Sequence, residues 1–135
     1  MYKWNSILIP TRRWSICKSL YNRNSYINNQ TSSFHGFHIH EVGDCTVGNE
    51  SDPFTDAKSH YNPTKVDHPM HAGDLPPILS ADGIGVLSTF TNRFTVNDVI
   101  GKSFILHSGY DDFTTQPSGN SGSRLACGVI VSYTR

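Results

Sequence analysis

Histidines that could bind metal ions dominate the chemistry available to this sequence. The chain of 135 residues contains seven of them, and a neutral imidazole ring is the commonest protein ligand for copper and zinc. A carboxylate, Asp74, lies close to two of them in sequence and completes a zinc site readily. This inventory predicts a site for two metal ions. Six candidate histidines fall in four groups, namely His38 and His40, His60, His68 and His71, and His107.

The first group has the spacing of a β-strand. Residues 36–41 alternate, with Phe37 and Ile39 on one face and His38 and His40 on the other. Because residues two apart on a strand lie about 7 Å apart on the same face, both rings could bind one ion. An isolated pair of this kind is more often a polar pair on a solvated strand face. The histidines further along the chain favour the metal site.

A second candidate set lies in a loop. His68, His71 and Asp74 are spaced by three residues and offer two nitrogen ligands and one oxygen ligand. A tetrahedral zinc ion needs a fourth ligand, and His60 can supply it. Taken alone, His60 would be a surface histidine and Asp74 a turn-capping carboxylate. Taken together, the four residues are better interpreted as ligands.

His107 ends an apolar segment and is followed by two acids, Asp111 and Asp112. Either carboxylate could orient a ligand histidine through its second ring nitrogen, as metal sites usually require. The alternative is a pair of loop acids in solvent. The role of Arg124 is open in the same way. It is either an ordinary surface cation or a cation that draws a small anion to a metal.

The cysteines carry a separate structural question. There are three, Cys17, Cys45 and Cys127, and an odd number leaves one over if the other two pair. A bridge between Cys45 and Cys127 would stabilise the fold by roughly 4 to 5 kcal/mol on the chain-entropy model, and it would suggest an oxidising compartment. Two buried free thiols are the alternative, and we regard Cys17 as incidental.

The charge balance excludes several kinds of partner. Eleven basic and eleven acidic residues leave no net charge, which does not resemble a nucleic-acid footprint or a polybasic membrane patch. Residues 6–9 are largely apolar, but Pro10, Arg12 and Arg13 interrupt them before they reach the length of a signal-peptide core or a membrane span. We therefore expect a small partner, no nucleic acid and no membrane.

The elements that must position these side chains are short strands. Residues 1–33 show no sustained period and no element is predicted there, whereas residues 34–135 alternate apolar stretches with turns and are expected to form the domain. No helical stripe of useful length appears, so we expect an all-β sandwich or barrel. Residues 43–77 are predicted to be loop. The apolar runs are 36–41, 84–91, a less regular 93–99, 103–107 and 126–133.

Three segments resemble one family, copper-zinc superoxide dismutase. Residues 36–45 are similar to its copper-binding segment, residues 71–76 to its zinc segment and residues 119–130 to its C-terminal signature. The similarity spans residues 34–131, and the short His-Pro-x-His-Ala-Gly-Asp form of the zinc segment resembles that of bacterial members. It implies an all-β Greek-key sandwich or barrel.

The resemblance also implies a role for each candidate residue. Asp111 matches the carboxylate that links a copper ligand to a zinc ligand, and Arg124 matches the arginine that guides superoxide. Cys45 and Cys127 match the family's intrasubunit disulfide, whereas His35 matches a histidine that binds no metal. The implied copper ligands are His38, His40, His60 and His107, and the implied zinc ligands are His60, His68, His71 and Asp74, with His60 bridging the two ions.

The implied activity is the disproportionation of superoxide to dioxygen and hydrogen peroxide. Copper would alternate between two oxidation states, and His60 would take up and release a proton. A different interpretation is a non-enzymatic copper- and zinc-binding protein of the same family, or an inactive fragment. The resemblance makes a homodimer possible.

The chain departs from the family pattern before the first histidines. The family's barrel has eight strands, of which roughly three precede the first copper ligands, but residues 1–33 do not resemble them. We therefore expect the first strands to be missing and sheet edges to be open. Relatives are usually exported, which indicates an extracellular or cell-envelope location, although the chain shows no signal peptide. The loop from His107 to Arg124 contains no Lys or Glu, so steering of superoxide is expected to depend on Arg124 and the metals.

Overall fold

The computed structural model describes residues 16–20, 32–81 and 84–132, and these form a nearly all-β structure. This confirms the predicted fold class. Within these residues no helix is long and apolar enough to cross a membrane. The strands are β1 (Ile16–Leu20), β2 (Ser32–His35), β3 (Phe37–His40), β4 (Gly48–Asn49), β5 (Asp52–Pro53), β6 (Ile78–Ala81), β7 (Ile84–Ser88), β8 (Ser103–His107) and β9 (Arg124–Val129), and a short α-helix is α1 (Val96–Val99).

Two antiparallel sheets make up most of the fold. The four-stranded sheet has the order β1-β7-β6-β2, and the three-stranded sheet has the order β3-β8-β9. In the second sheet His38 lies opposite Ile105, and Phe37 lies opposite Leu106. A small hairpin, β4-β5, lies within the segment that follows β3. The predicted loop at 43–77 is therefore mostly loop, with this hairpin and one 3-10 turn, Thr55–Ala57.

The core is built from alternate residues of these strands. Phe37 and Ile39 of β3 and Phe104 and Leu106 of β8 belong to one buried cluster. Ile78 of β6 belongs to the same cluster, so it joins the two sheets. Each fully buried side chain of this size stabilises the fold by about 1.5 to 3 kcal/mol. The opposite faces of β3 and β8 are thereby left for other contacts.

Residues 93–99 were expected to be a less regular strand, and that interpretation was wrong. Val96–Val99 is a helical turn. The Asp98 carboxylate accepts hydrogen bonds from the backbone N–H and the hydroxyl of Thr95, each at 2.7 Å. This reciprocal capping of a helix start is a local interaction that the apolar pattern does not contain.

Strands also occur where no element was predicted. β1 pairs with β7, and β2 begins at Ser32 and pairs with β6. The paired residues are 43 to 72 positions apart in the sequence, so the local pattern of apolar residues says little about these strands. β6 begins directly after the predicted loop. The division of the chain into residues 1–33 and 34–135 stays a prediction.

Candidate metal centre

The second sheet places three histidines on one face. Because Phe37 and Ile39 face the core, strand alternation turns His38 and His40 to the other side. His107 follows the core residue Leu106 on β8 and lies on the same side. The ring centroids of His38 and His107 are 4.9 Å apart, and those of His40 and His107 are 5.7 Å apart. We call these three residues the sheet group.

The edge of β3 that does not pair with β8 forms backbone hydrogen bonds with the segment that follows β3. The N–H of Ile39 donates to Gly73 O at 2.9 Å, and the N–H of Tyr61 donates to Ile39 O at 2.8 Å. A Cβ atom at Gly73 would lie 2.3 Å from Ile39 O, so only glycine permits this approach. These contacts bring His60 and Asp74, which adjoin Tyr61 and Gly73, beside the sheet group.

Asp74 is the centre of the second cluster, which we call the loop group and which consists of His60, His68, His71 and Asp74. Its Oδ1 accepts a hydrogen bond from His60 Nδ1 at 2.8 Å. Its Oδ2 lies 3.0 Å from His68 Nδ1 and 3.2 Å from His71 Nδ1. Both ring nitrogens are close enough to Oδ2 for a hydrogen bond, but the angles do not suit one. Neither nitrogen therefore has a hydrogen-bond partner among the described residues. Ligands around a tetrahedral zinc ion would lie roughly 3.3 Å apart, given bonds of about 2.0 Å.

Unpaired nitrogens are the main evidence for metal ions. Within the described residues, six buried ring nitrogens make no hydrogen bond. Such a group costs about 1 to 3 kcal/mol when nothing compensates it. In each cluster the potential ligand atoms lie within 4.8 Å of one another, and His60 belongs to both clusters. The unpaired atoms are His38 Nδ1, His40 Nε2, His60 Nε2, His68 Nδ1, His71 Nδ1 and His107 Nε2.

The second nitrogen of several rings does have a partner. Asp111 accepts from His38 Nε2 at 2.7 Å and from His68 Nε2 at 2.9 Å, and so joins the two clusters. His40 Nδ1 donates to Lys58 O at 2.8 Å, and His107 Nδ1 faces Gly122 O at 3.2 Å. Carbonyl acceptors require the proton on these nitrogens, which leaves the opposite nitrogen as a lone pair. This arrangement is typical of metal-bound histidine.

Burial keeps the sheet group neutral. Loss of solvation lowers the pKa of His38 to about 4, of His40 to about 2 and of His107 to about 3. Burial of Asp111 opposes its ionisation, but hydrogen bonds from His38, the Phe113 N–H and His68 outweigh it and lower its pKa to about 2. At neutral pH the three imidazoles are therefore ready to bind a cation without first losing a proton.

The pKa of Asp74 is also lowered. Burial acts against ionisation there, but the hydrogen bond from His60 and the electrostatic interactions with His60, His68 and His71 outweigh it. An ionised carboxylate beside three imidazoles is a donor set that zinc accepts. The residues present therefore fit the two metals expected from the sequence.

A cavity of about 600 Å³ opens onto this centre and is lined by His40, His60, His107 and Arg124, among others. Arg124 is held by two carbonyls, since Nη1 donates to Phe54 O and Nη2 donates to Lys58 O at 2.7 Å. The carbonyl of Lys58 also accepts from His40. Burial lowers the pKa of Arg124, but a guanidinium stays charged.

Two charged residues at this cavity were not singled out in the sequence. Lys65 and Glu41 both line it. Asn62 closes the turn that carries Lys65, because its side chain accepts from Val66 N–H at 3.1 Å and donates to Val66 O at 2.8 Å. The spacing of residues in the sequence does not predict that Lys65 and Glu41 lie at the cavity. Their positions depend on the path of the loop in the folded structure.

The predicted pairing of Cys45 with Cys127 is confirmed, with Cα atoms 5.5 Å apart. The bridge ties the segment after β3 to β9. That segment provides Phe54 O and Lys58 O, the acceptors of Arg124. Reading the pair as two buried free thiols is therefore ruled out.

The structure also separates the two acids that residue type and spacing left open, and it places at the clusters the one that the resemblance implies, Asp111. Asp111 contacts the histidines, whereas the carboxylate of Asp112 accepts from Thr114 and Thr115 in its own loop. His35 is buried among backbone and hydroxyl groups, with Nδ1 2.8 Å from His107 O and Nε2 3.0 Å from Ser80 Oγ. Its position agrees with the structural role expected from the sequence.

Comparison with known proteins agrees with this centre. The family model described as copper/zinc superoxide dismutase (SODC) matches residues 19–130. The chain is 37% identical to superoxide dismutase [Cu-Zn] 1 of Aquifex aeolicus, covering 70% of this chain and 62% of that protein. It is 39% identical to the superoxide dismutase [Cu-Zn] of Deinococcus radiodurans, covering 71% and 62%. The chain thus spans less than two thirds of the length of these relatives.

A solved structure has the same fold. The Cu/Zn superoxide dismutase from Brucella abortus superposes with a TM-score of 0.65 at 29% identity, covering 87% of this chain and 78% of that chain. With the sequence match over most of the chain, this leads to a plain conclusion: the chain belongs to the copper/zinc superoxide dismutase family.

Proposed function

We propose that the protein converts two superoxide ions and two protons into dioxygen and hydrogen peroxide. The observation that carries this proposal is the set of six unpaired buried ring nitrogens, which divide between two clusters that share His60. Copper and zinc are the cofactors of this family. A shared imidazole between a redox metal and a structural metal suits a reaction that needs one electron and one proton in each half.

The ligand sets follow from which nitrogens are free. The all-imidazole cluster suits copper, and the cluster with a carboxylate suits zinc. His60 would use Nε2 for copper and exchange the hydrogen bond between Nδ1 and Asp74 for a bond to zinc. The proposed copper ligands are His38 Nδ1, His40 Nε2, His60 Nε2 and His107 Nε2, and the proposed zinc ligands are His60 Nδ1, His68 Nδ1, His71 Nδ1 and the Asp74 carboxylate.

Copper, when bound, would supply the transfer of one electron from a first superoxide to a second. His60 would accept a proton from solvent at Nε2 when that nitrogen is released from the metal. It would then give this proton to the reduced superoxide, whose second proton would come from solvent. Asp111 holds the rings of His38 and His68 in the tautomer that keeps Nδ1 free. Lys58 O does the same for Nε2 of His40.

Arg124 is proposed to guide and orient the anionic substrate. Its guanidinium lies at the cavity that also exposes His40, His60 and His107. Two carbonyl acceptors hold it in one position, so little conformational entropy is lost when an anion binds. Lys65 is positioned to add positive charge at the same opening, although Glu41 partly offsets it.

The test is reconstitution of the metal-free protein with copper and zinc, followed by measurement of superoxide decay. We expect rapid decay with the wild type and a loss greater than roughly 100-fold for His60→Ala, since even residues that merely support ligands cost 10- to 100-fold. Arg124→Met should reduce the rate and its dependence on salt while both metals remain bound. Bound copper and zinc without accelerated decay in the wild type would instead indicate a metal-binding protein that is not an enzyme.

The assembly of this protein stays a prediction. The outer face of the four-stranded sheet exposes Phe34, Leu79 and Val86, and Phe34 lies directly opposite Leu79. An apolar stripe on a sheet can support a homodimer. Sedimentation equilibrium of the loaded protein will show whether one forms.

A further inference from the structure

Two polar side chains outside the ligand set hold the backbone that carries the loop group. We call residues 68–74 the zinc loop, because it contains His68, His71 and Asp74. A loop of this length has no ladder of its own, so its shape depends on bonds from other segments. Gln116 and Arg93, which both follow the zinc loop in the sequence, provide such bonds.

Gln116 pairs with the peptide groups of His68. Its Oε1 accepts from His68 N–H at 3.0 Å, and its Nε2 donates to His68 O at 2.7 Å. The two bonds together fix both the position and the orientation of the residue, as a strand partner would. The contact joins segments 48 residues apart and is partly buried.

The loop that carries Gln116 also contacts the sheet group. Asp111 in this loop binds the rings of His38 and His68, and Gly122 O faces His107 Nδ1. His68 is therefore held twice from one loop, by its ring and by its backbone. The loop is itself braced, because Asp112 accepts from the N–H groups of Thr114 and Thr115 at 2.9 and 2.8 Å.

Arg93 holds the remainder of the zinc loop. Its Nη1 lies 2.9 Å from Pro69 O, 3.1 Å from His71 O and 3.4 Å from Asp74 O. Three carbonyls of one loop thus converge on a single charged donor. A charged donor forms stronger hydrogen bonds than a neutral one, but Arg93 is exposed, so solvent weakens the effect.

We propose that Gln116 and Arg93 are positioning residues for the zinc ligands, and that Gln116 also couples the geometry of the zinc loop to the sheet group. The inference rests on the proposed assignment of zinc to the loop group. Neither residue touches a reacting atom. Both act by keeping Nδ1 of His68, Nδ1 of His71 and the Asp74 carboxylate convergent before metal binds.

The first experiment compares Gln116→Met, which keeps side-chain length and removes both bonds, with Asn97→Met. Asn97 is an exposed amide that makes no side-chain hydrogen bond within the described part of the chain. Zinc affinity is measured on the full chain by competition with a chromogenic chelator. We expect roughly 10-fold weaker zinc binding for Gln116→Met, at the low end for residues that support ligands, and wild-type affinity for Asn97→Met.

A spectroscopic readout separates positioning from general loss of stability. Cobalt(II) in the zinc position reports ligand geometry through its visible absorption, and copper(II) reports the sheet group. Gln116→Met should change both spectra, because its loop contacts both groups. Arg93→Met should weaken zinc binding several-fold and change only the cobalt spectrum, and Arg93→Lys should restore most of the affinity.

Three results would overturn the inference. One is unchanged zinc affinity and cobalt spectrum in both Gln116→Met and Arg93→Met. Another is a loss of affinity in Asn97→Met equal to that in Gln116→Met. The third uses the unaltered chain: rapid hydrogen exchange of the His68 amide in the metal-free protein, at the rate of a free peptide, would show that the Gln116 bond is not maintained.

Failure of the zinc assignment or of the proposed function gives a different pattern. If the loop group were not the zinc site, His71→Ala would bind zinc as tightly as the wild type. If only the function failed, the wild type would bind both metals without accelerating superoxide decay. Wild-type zinc binding that is lost in His71→Ala but unaffected in Gln116→Met and Arg93→Met would keep the zinc assignment and reject only the positioning role.

Discussion

The sheet group and the loop group are built by different kinds of structure. His38, His40 and His107 lie on two paired strands whose other faces form the core. His68, His71 and Asp74 lie in a loop that is held by Asp111, Gln116 and Arg93. His60 stands between them, with its ring centroid 4.0 Å from that of His38 and 5.6 Å from that of His71.

The side chains of the two groups are therefore held in place by different interactions. The sheet group is positioned by backbone pairing and apolar burial, which exist whether or not metal is present. The loop group depends on a few polar bonds, each worth about 0.5 to 1.5 kcal/mol. We therefore expect the copper cluster to be preformed and the zinc cluster to gain order when zinc binds.

Lowering the pH should reduce the stability of the metal-free protein more than any substitution below, and it should act through the sheet group. Histidine in an unfolded chain has a pKa near 6.5, whereas burial lowers it to about 4, 2 and 3 for His38, His40 and His107. Below pH 6.5 the unfolded chain binds protons that the folded chain does not. The stability of the metal-free protein should then fall by up to about 1.4 kcal/mol per pH unit for each histidine.

Urea unfolding of the metal-free protein at pH 7.5, 6 and 5 measures this effect. The loss should continue as the pH falls toward the folded pKa values. A free energy of unfolding that stays constant from pH 7.5 to 5 would show that the three rings are not buried in the neutral form.

Removing the disulfide should loosen the loop side relative to the sheets. Cys45 and Cys127 are 82 residues apart in the sequence, and closing a loop of that size stabilises a fold by about 4 to 5 kcal/mol on the chain-entropy model. The double substitution to serine should lower the free energy of unfolding by that order. Denaturant melts of oxidised and reduced wild type provide the matched comparison, and coincident melts would contradict the prediction.

A cavity in the core should weaken the sheet group. Ile39 is fully buried in the main core cluster, so Ile39→Ala should cost about 2 to 5 kcal/mol of stability. Val66→Ala, in the exposed part of the loop, should change stability by no more than about 0.5 kcal/mol. Equal losses in the two variants would show that the core does not support the site as described.

Asp111 should be the residue whose loss affects both groups equally. Asp111→Ala removes both carboxylate oxygens, so the bonds to His38 and His68 are both lost. We expect copper and zinc affinities each to fall by about 10- to 100-fold. Asp112→Asn is the control, because its amide oxygen can still accept from the N–H groups of Thr114 and Thr115 in its own loop. Metal titrations that show a loss for only one ion would remove Asp111 as the link.

Much of the fold class and the candidate centre could be predicted from local patterns. Alternation in residues 36–41 and the apolar run at 103–107 predict β3 and β8 because the side-chain period of a strand is two. The run at 93–99 was misread, since Thr95 and Asp98 cap a helical turn there. β1 and β2 were not predicted, because their pairing with β7 and β6 depends on residues distant in the sequence.

Residue type and spacing by themselves determined that this chain carries ligands for two metal ions, because few other chemistries need so many histidines and imidazole chemistry does not depend on the fold. Only the tertiary structure decided which nitrogen of each ring is free, which side chains hold the backbone of the zinc loop and which carbonyls hold Arg124. Those choices depend on hydrogen bonds between segments far apart in sequence, such as Gln116 with His68. Such bonds exist only once β3, β8 and the zinc loop are packed together.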